Sequence, residues 1–303
     1  MNTQRTMNFT AWALLALLAL IWGGSYLSNR VALEEVPVLT TVAFRVGGAA
    51  LALWAYVWLR RLTVPLTPGL ALRFLGMGIL NNVIPFTLIV WGQQHIPSGL
   101  AAILNATTAI LAVLIAALVF ADERLTRAKG MGILIGFCGV CVITGPTVLI
   151  QFDITSLGQL AMLGAALSYG ISGTYARLTL SGLAPEVQAA GMLTAAAAIM
   201  LPAALWHDGP AALTYAPATW GALAYLALMS SAFAYVIFYR VLTLAGAGNL
   251  QLVTLLVGPV AVALGAVFYG EALQANEYAG FAIIALGLLV IDGRLHFPRE
   301  KRG

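Results

Sequence analysis

The chain has 303 residues, of which 61% are hydrophobic and only 9% are charged. A soluble chain carries roughly 25% charged residues, so this one lacks the charge to cover a water-facing surface, and lipid is its natural solvent. Its net charge of +4 would suit nucleic acid as a bulk property, but the basic residues stand between apolar runs, which points to membrane topology instead.

A membrane-spanning helix needs ~20 apolar residues. Apolar runs fall at 11–29, 38–59, 72–92, 98–120, 130–150, 157–178, 185–206, 217–239, 249–269 and 278–292. The first run follows Arg5, as a signal peptide would, but it is long and has an internal partner later in the chain. Arg5, Arg60, Arg61, Arg73, Arg124, Arg127, Lys129, Arg177, Arg240, Arg294, Arg299, Lys301 and Arg302 all fall on one side of a ten-span arrangement. Only Arg30 lies at the opposite boundary, and Arg45 is inside a span. The positive-inside rule then predicts that both termini are cytoplasmic. Cys138 and Cys141 lie one helical turn apart in an apolar run, without a second Cys pair or a nearby His. They read as packing residues, and no metal site or cofactor is expected.

Sliding the sequence against itself by 148 residues brings Pro37 onto Pro185, Phe120 onto Phe268, Glu123 onto Glu271 and Leu125 onto Leu273. The same offset brings Gly132 onto Gly280 and Gly139 onto Gly287. Each half holds five spans, an odd number, so the second half enters the membrane from the opposite face. The expected fold is all-α and integral to the membrane, with ten transmembrane helices. They form two inverted five-helix repeats, 1–150 and 151–303, integrated into one transport unit. Inverted repeats are the architecture of many secondary transporters, since related halves can exchange inward- and outward-open states.

The stretch Ile21-Trp22-Gly23-Gly24-Ser25-Tyr26, followed by Pro37 and Arg45, resembles the opening of an EamA repeat. So does Glu123-Arg124-Leu125-Thr126 with Gly132. The second half resembles it through Ser230-Ser231-Ala232, Gly258-Pro259, Gly270-Glu271-Ala272-Leu273 and Gly280. It departs from the pattern with Ser168-Tyr169-Gly170 in place of Trp-Gly, and with Leu193 in place of Arg45. The resemblance covers nearly the whole chain and is to the drug/metabolite transporter superfamily, most of all its bacterial exporters of aromatic and neutral amino acids. It implies a central cavity lined by the first four helices of each half, with the fifth and tenth helices peripheral.

Polar groups at mid-depth are the candidate chemistry. An ionised side chain at a span centre costs roughly 2.5–3.5 kcal/mol, and Arg45 is the one charge clearly within a span. Its guanidinium suits a substrate carboxylate, or else it pairs with Glu34, Glu35 or helix-end carbonyls. Asn81 and Asn82 precede Pro85 and Phe86 near the middle of the third span. The proline cannot donate to the backbone ladder, so a carbonyl near Asn81 is expected to be free. Trp22, Tyr26 and Asn29 share a face of the first span, Tyr169 and Ser172 one of the sixth, and Ser231, Tyr235 and Phe238 one of the eighth. Asn105 in the fourth span and Gln251 in the ninth complete the candidate substrate-binding set. Such walls suit solutes with an apolar side chain and a polar head.

No G-x-x-x-x-G-K-[ST] loop is present, so ATP is not expected to drive this chain. No Asp or Glu lies deep in a span, which argues against a pump for organic cations. No D-D-x-x-D run or Ser/His/Asp set supports a polytopic enzyme on a lipid-linked substrate. The expectation is a non-enzymatic secondary transporter or facilitator that exports amino acids from a bacterial cell across the inner membrane. Its partners are the small solute and the bilayer, and a monomer suffices. A broad-specificity drug or metabolite exporter is the alternative.

Overall fold

The computed structural model of the chain describes residues 7–291, except 66, 97, 146–149, 151–152, 154–155, 213 and 270–273. Glu271, Leu273 and the basic residues from 294 onward, on which part of the repeat and topology reading rests, lie outside the described residues. The described chain forms ten helices: α1 (Phe9–Ala32), α2 (Val38–Leu59), α3 (Pro68–Gln93), α4 (Ser98–Val119), α5 (Arg127–Thr144), α6 (Leu157–Thr179), α7 (Pro185–His207), α8 (Pro217–Ala245), α9 (Ala247–Leu250, then Val253–Tyr269) and α10 (Ala275–Ile291). Among the described residues, α1, α2, α3, α7, α8 and α9 are long and apolar enough to cross a membrane, while α10 is a shorter apolar helix.

Local chemistry sets the helix starts. Asn8 Oδ1 accepts the Ala11 N–H at 2.8 Å to cap α1. Thr67 caps α3 through Leu70 at 3.2 Å, and Thr126 caps α5 through Lys129 at 3.2 Å. Proline opens α3, α7 and α8 at a position where its missing N–H costs nothing. The expected fifth span, 130–150, is corrected to Arg127–Thr144. Gly145 takes φ 89, a left-handed backbone that glycine adopts freely, and it ends the helix, with Pro146 next in the sequence.

Two helices are widened in mid-course into π-helical turns, α3 over Ile79–Val83 and α8 over Tyr225–Phe233. The first follows from Pro85, whose ring nitrogen leaves the preceding turn without a donor. The opened carbonyls find side chains instead: Ser168 Oγ donates to Leu80 O at 2.6 Å and the Tyr235 hydroxyl to Asn81 O at 3.3 Å. In α8 the opened Ser230 carbonyl accepts from Trp22 Nε1 at 3.0 Å. Residues 227–231, 148 positions after the α3 widening, fall inside the α8 one.

Connections alternate between the two ends of the bundle. At one end Glu35 of the α1–α2 loop accepts from Ala216 N and Thr219 Oγ1, at 2.9 and 2.6 Å. Asp208, after α7, accepts there from the Thr40 N–H and hydroxyl, both at 2.8 Å. At the other end Arg73 Nη1 donates to Thr179 O at 3.2 Å, and the α4–α5 loop meets the α8–α9 turn. Helices α5 and α10 pack as a pair, as do α2 with α7, α1 with α9 and α4 with α6. In the α5–α10 pair glycines admit direct backbone contact. A Cβ at Gly132 would lie 2.6 Å from Gly287 O, and one at Gly139 2.9 Å from Gly280 O.

Candidate functional site

A cavity of about 60 Å³ lies among α1, α2, α3, α4, α6, α8 and α9. A water needs ~10–15 Å³ by this measure, so the space holds only a few heavy atoms as it stands. A larger solute requires the wall helices to part. Eight predicted site residues line it: Trp22, Tyr26, Asn29, Arg45, Phe86, Asn105, Tyr169 and Gln251. The remaining wall is Ser25, Ile89, Val90, Phe238, Thr254 and Val257. Helical spacing is the signal that finds most of these. Ser25 follows Trp22 by three residues, Ile89 and Val90 follow Phe86 by three and four, and Thr254 follows Gln251 by three.

Arg45 is 6% exposed and makes no ion pair among the described residues. Glu34 and Glu35, the carboxylates nearest in sequence, are exposed, and Glu35 serves α8 instead. Arg45 Nε donates to Ser231 Oγ at 2.9 Å, and Nη2 donates to Ser230 Oγ at 3.0 Å and Ser230 O at 3.4 Å. The guanidinium carbon stands 3.9 Å from the Phe86 ring centroid. A desolvated cation–π contact contributes about 2 kcal/mol, comparable to the cost of holding the charge at that depth. Aromatic and hydroxyl groups thus stand where an acid would. Nη1 makes no hydrogen bond among the described residues, and Arg45 lines the cavity.

Asn81, Asn82, Ser172, Ser231 and Tyr235 do not line the cavity; all are at most 1% exposed and stand behind its wall. Asn82 Nδ2 donates to the Tyr235 hydroxyl at 2.9 Å, and Ser172 Oγ donates to Asn81 Oδ1 at 2.7 Å. Tyr235 packs edge-on against Trp22 at 6.1 Å and against Phe238 at 5.7 Å. The network therefore fixes the rings that face the cavity. Two buried oxygens near it have no hydrogen-bond partner among the described residues, Asn29 Oδ1 and Asn82 Oδ1. Leaving such an acceptor unmade costs about 1–3 kcal/mol.

At the bundle end that carries the α4–α5 connection, Glu123 is 2% exposed. Its Oε1 accepts from Ala247 N at 2.8 Å and its Oε2 from Gly248 N at 2.7 Å, at the start of α9. Arg177, near the end of α6, donates to Glu123 Oε1 and to Asp122 Oδ2, each at 2.5 Å. Its guanidinium carbon lies 4.0 Å from the Phe120 ring centroid. One carboxylate thus fastens the α4–α5 loop to α6 and α9, across the two halves of the chain. Cys138 and Cys141 are free thiols.

Ten packed helices, seven of them around a cavity of aromatic, aliphatic and amide side chains with one guanidinium in its wall, define a multi-pass helical membrane protein with room for a small molecule. The profile of the EamA-like transporter family matches residues 10–145 and again 156–292, and the chain belongs to that family of membrane transporters. The protein PagO of Salmonella typhimurium is 27% identical over 295 residues, 95% of each chain. The uncharacterized inner membrane transporter YedA of Escherichia coli is 29% identical over 93% of this chain and 91% of its own. The uncharacterized transporter YoaV of Bacillus subtilis is 23% identical over 93% of this chain and 96% of its own. A solved crystal structure of a protein 20% identical superimposes with a TM-score of 0.77, covering 95% of this chain and 99% of the other, a likeness of fold.

Proposed function

We propose that the chain is a secondary transporter or facilitator that exports amino acids, neutral and aromatic ones included, across the inner membrane. The single observation that carries this reading is Arg45: a buried guanidinium without a carboxylate partner among the described residues, whose Nη1 makes no hydrogen bond to them. A substrate carboxylate supplies the missing counter-charge, and a charge-assisted hydrogen bond is about twice as strong as a neutral one. Trp22, Tyr26, Phe86 and Tyr169 offer apolar faces to the side chain, while Asn29, Asn105 and Gln251 offer polar ends. Asn81, Asn82, Ser172, Ser231 and Tyr235 hold that wall in place.

Transport then proceeds by alternating access between two inverted halves, 1–150 and 151–303, with both termini cytoplasmic. The contact pattern supports the symmetry. Moving both members of the Gly132–Gly287 contact by 148 positions, one forward and one back, gives the Gly280–Gly139 contact. The α1–α9 packing converts in the same way into the α6–α4 packing. The basic residues at the ends carrying the α2–α3, α4–α5 and α6–α7 connections support the orientation. The Glu123 fastening closes that cytoplasmic end, and it has to separate for the cavity to reach the cytoplasm.

The test is counterflow of labelled amino acids in proteoliposomes, with and without a proton gradient. Protein-dependent flux that falls to background in Arg45→Gln is expected. A panel of amino acids giving no flux while cationic dyes are moved overturns the reading in favour of a broad drug exporter.

A further inference from the structure

On the transport reading, which this inference rests on, the cavity wall sets the groups a solute must bring. Its wall contains one ionised side chain, Arg45, and no carboxylate. The described acids lie in loops, caps or first helical turns: Glu34, Glu35, Asp122, Glu123, Asp153, Glu186, Asp208 and Glu277. A cationic solute therefore meets a like charge and no counter-ion. An ammonium group enters only as part of a molecule that also brings a carboxylate, and it needs a neutral acceptor.

Asn29 is placed to be that acceptor. It lies on the wall, is 5% exposed, and its Oδ1 has no hydrogen-bond partner among the described residues. The side chain joins the face of Trp22 and Tyr26 on α1. Of the other neutral wall groups, Gln251 Nε2 donates to Tyr169 O at 2.9 Å, Thr254 Oγ1 to Gln251 O at 2.8 Å, and Ser25 Oγ to Trp22 O at 2.6 Å. Asn105 also makes no side-chain hydrogen bond among the described residues, and Asn29 differs from it in sharing the α1 face with Trp22 and Tyr26. An uncommitted buried carbonyl in a cavity wall is a site waiting for a donor.

A second observation is independent of the hydrogen bonding. The polar wall residues stand where the two halves differ in sequence. At the 148-residue offset Asn29 corresponds to Arg177, Arg45 to Leu193, Asn105 to Val253 and Gln251 to Ile103. Arg177 is the residue that pairs with Asp122 and Glu123. In the first half the equivalent position carries a neutral amide on the cavity wall instead. The departure from the repeat thus removes a fastening cation and leaves an acceptor in the wall.

We infer that the cavity binds its solute as a zwitterion, with the carboxylate on Arg45 and the ammonium on the Asn29 side-chain oxygen, so that Asn29 separates amino acids from acids lacking the amine. A hydrogen bond to a charged group alters affinity by about tenfold or more.

The test uses four compounds on one carbon skeleton: leucine, 4-methylpentanoate, 2-hydroxy-4-methylpentanoate and isopentylamine. Binding to the purified full-length protein is read by ligand-induced shift of the melting temperature, and flux in proteoliposomes is read separately. Leucine is expected to bind about tenfold more tightly than 4-methylpentanoate, the hydroxy acid to fall between them, and isopentylamine not to bind. In Asn29→Ala the leucine advantage disappears while 4-methylpentanoate binds as before; in Arg45→Gln all binding of acids is lost. Asn29→Asp adds an acid to the wall and is expected to admit isopentylamine. Asn29 makes no side-chain hydrogen bond among the described residues, so both variants at this position should fold, which the ligand-free melting temperature checks. Equal weakening of every ligand in Asn29→Ala, isopentylamine binding to the wild type, or no binding of any acid overturns the inference. Binding in the expected order without flux leaves the inference standing and overturns the transport reading.

Discussion

Replacing Glu123 with Gln tests the fastening between the two halves. In the structure Glu123 Oε1 is shared by Arg177 Nη1 and Ala247 N, and Oε2 takes Gly248 N. Glutamine keeps the shape but offers one oxygen, so its amide nitrogen faces a backbone donor whichever way it turns. Arg177 keeps Asp122 and is partly exposed, but the buried Lys129 beside the same carboxylate loses its counter-charge, so the lost charge adds to the cost of the donor left facing a donor. An orphaned buried N–H costs about 2 kcal/mol, roughly a 30-fold shift toward states in which this end has opened. The assay is a spin-label distance measurement between Leu118→Cys on α4 and Leu244→Cys on α8. Both sites are exposed, and the two native thiols are first changed to serine. A longer-distance population that is minor in the parent should become dominant in Glu123→Gln. Unchanged distances together with an unchanged melting temperature would refute the argument.

Other substitutions probe the frame. Gly139→Val puts a Cβ about 2.9 Å from the Gly280 carbonyl and the Ile284 N–H; overpacking of this kind costs about 1–3 kcal/mol. A lowered melting temperature is expected, whereas Gly69→Ala, whose Cβ would meet nothing, should melt like the parent. In a double-mutant cycle of Tyr235→Phe and Asn82→Ala, the coupling should exceed about 0.5 kcal/mol, because the two share a buried hydrogen bond of 2.9 Å. Strict additivity would show that the bond carries no weight. Burial pushes the Asp208 carboxyl up, but hydrogen bonds from His207 and Thr40 outweigh it and hold the group below its usual range. A depressed folded-state pKa stabilises above the unfolded value of about 3.9 and is lost as the pH falls through the folded one. The melting-temperature gap between the parent and Asp208→Asn should therefore hold at neutral pH and close below about pH 4. A gap that closes already near pH 6, or persists at pH 3, would count against the assignment.

Much of the helical architecture is legible without coordinates, because span length is a property of composition along one dimension. The run 38–59 is α2 to the residue, since Pro37 and Arg60 bound it. The run 130–150 reaches past Gly145 because apolarity does not report a backbone angle. The depth of Asn81 and Asn82, and the carbonyl freed by Pro85, are also readable, and the Tyr235 hydroxyl occupies that carbonyl. Their direction is not readable: a π-helical turn rotates the residues before and after it relative to each other. Both amides end behind the wall while Phe86 faces the cavity. The partners of Arg45 were hidden for a different reason. Ser230 and Ser231 lie about 185 residues away, and only the packing of α2 against the widened turn of α8 brings them to the guanidinium.

The single guanidinium has a consequence for how such a protein is assembled. On the proposed inverted-repeat arrangement, two separate copies of the first half, set around one axis, would turn two arginines into the same cavity. Two copies of the second half would turn in two leucines, because Leu193 occupies the matching place. The first pairing carries an uncompensated double charge, and the second has nothing to seat an anion. Only one of each half gives a cavity with one charge, and joining them in a single polypeptide fixes that stoichiometry at synthesis, whatever the expression level.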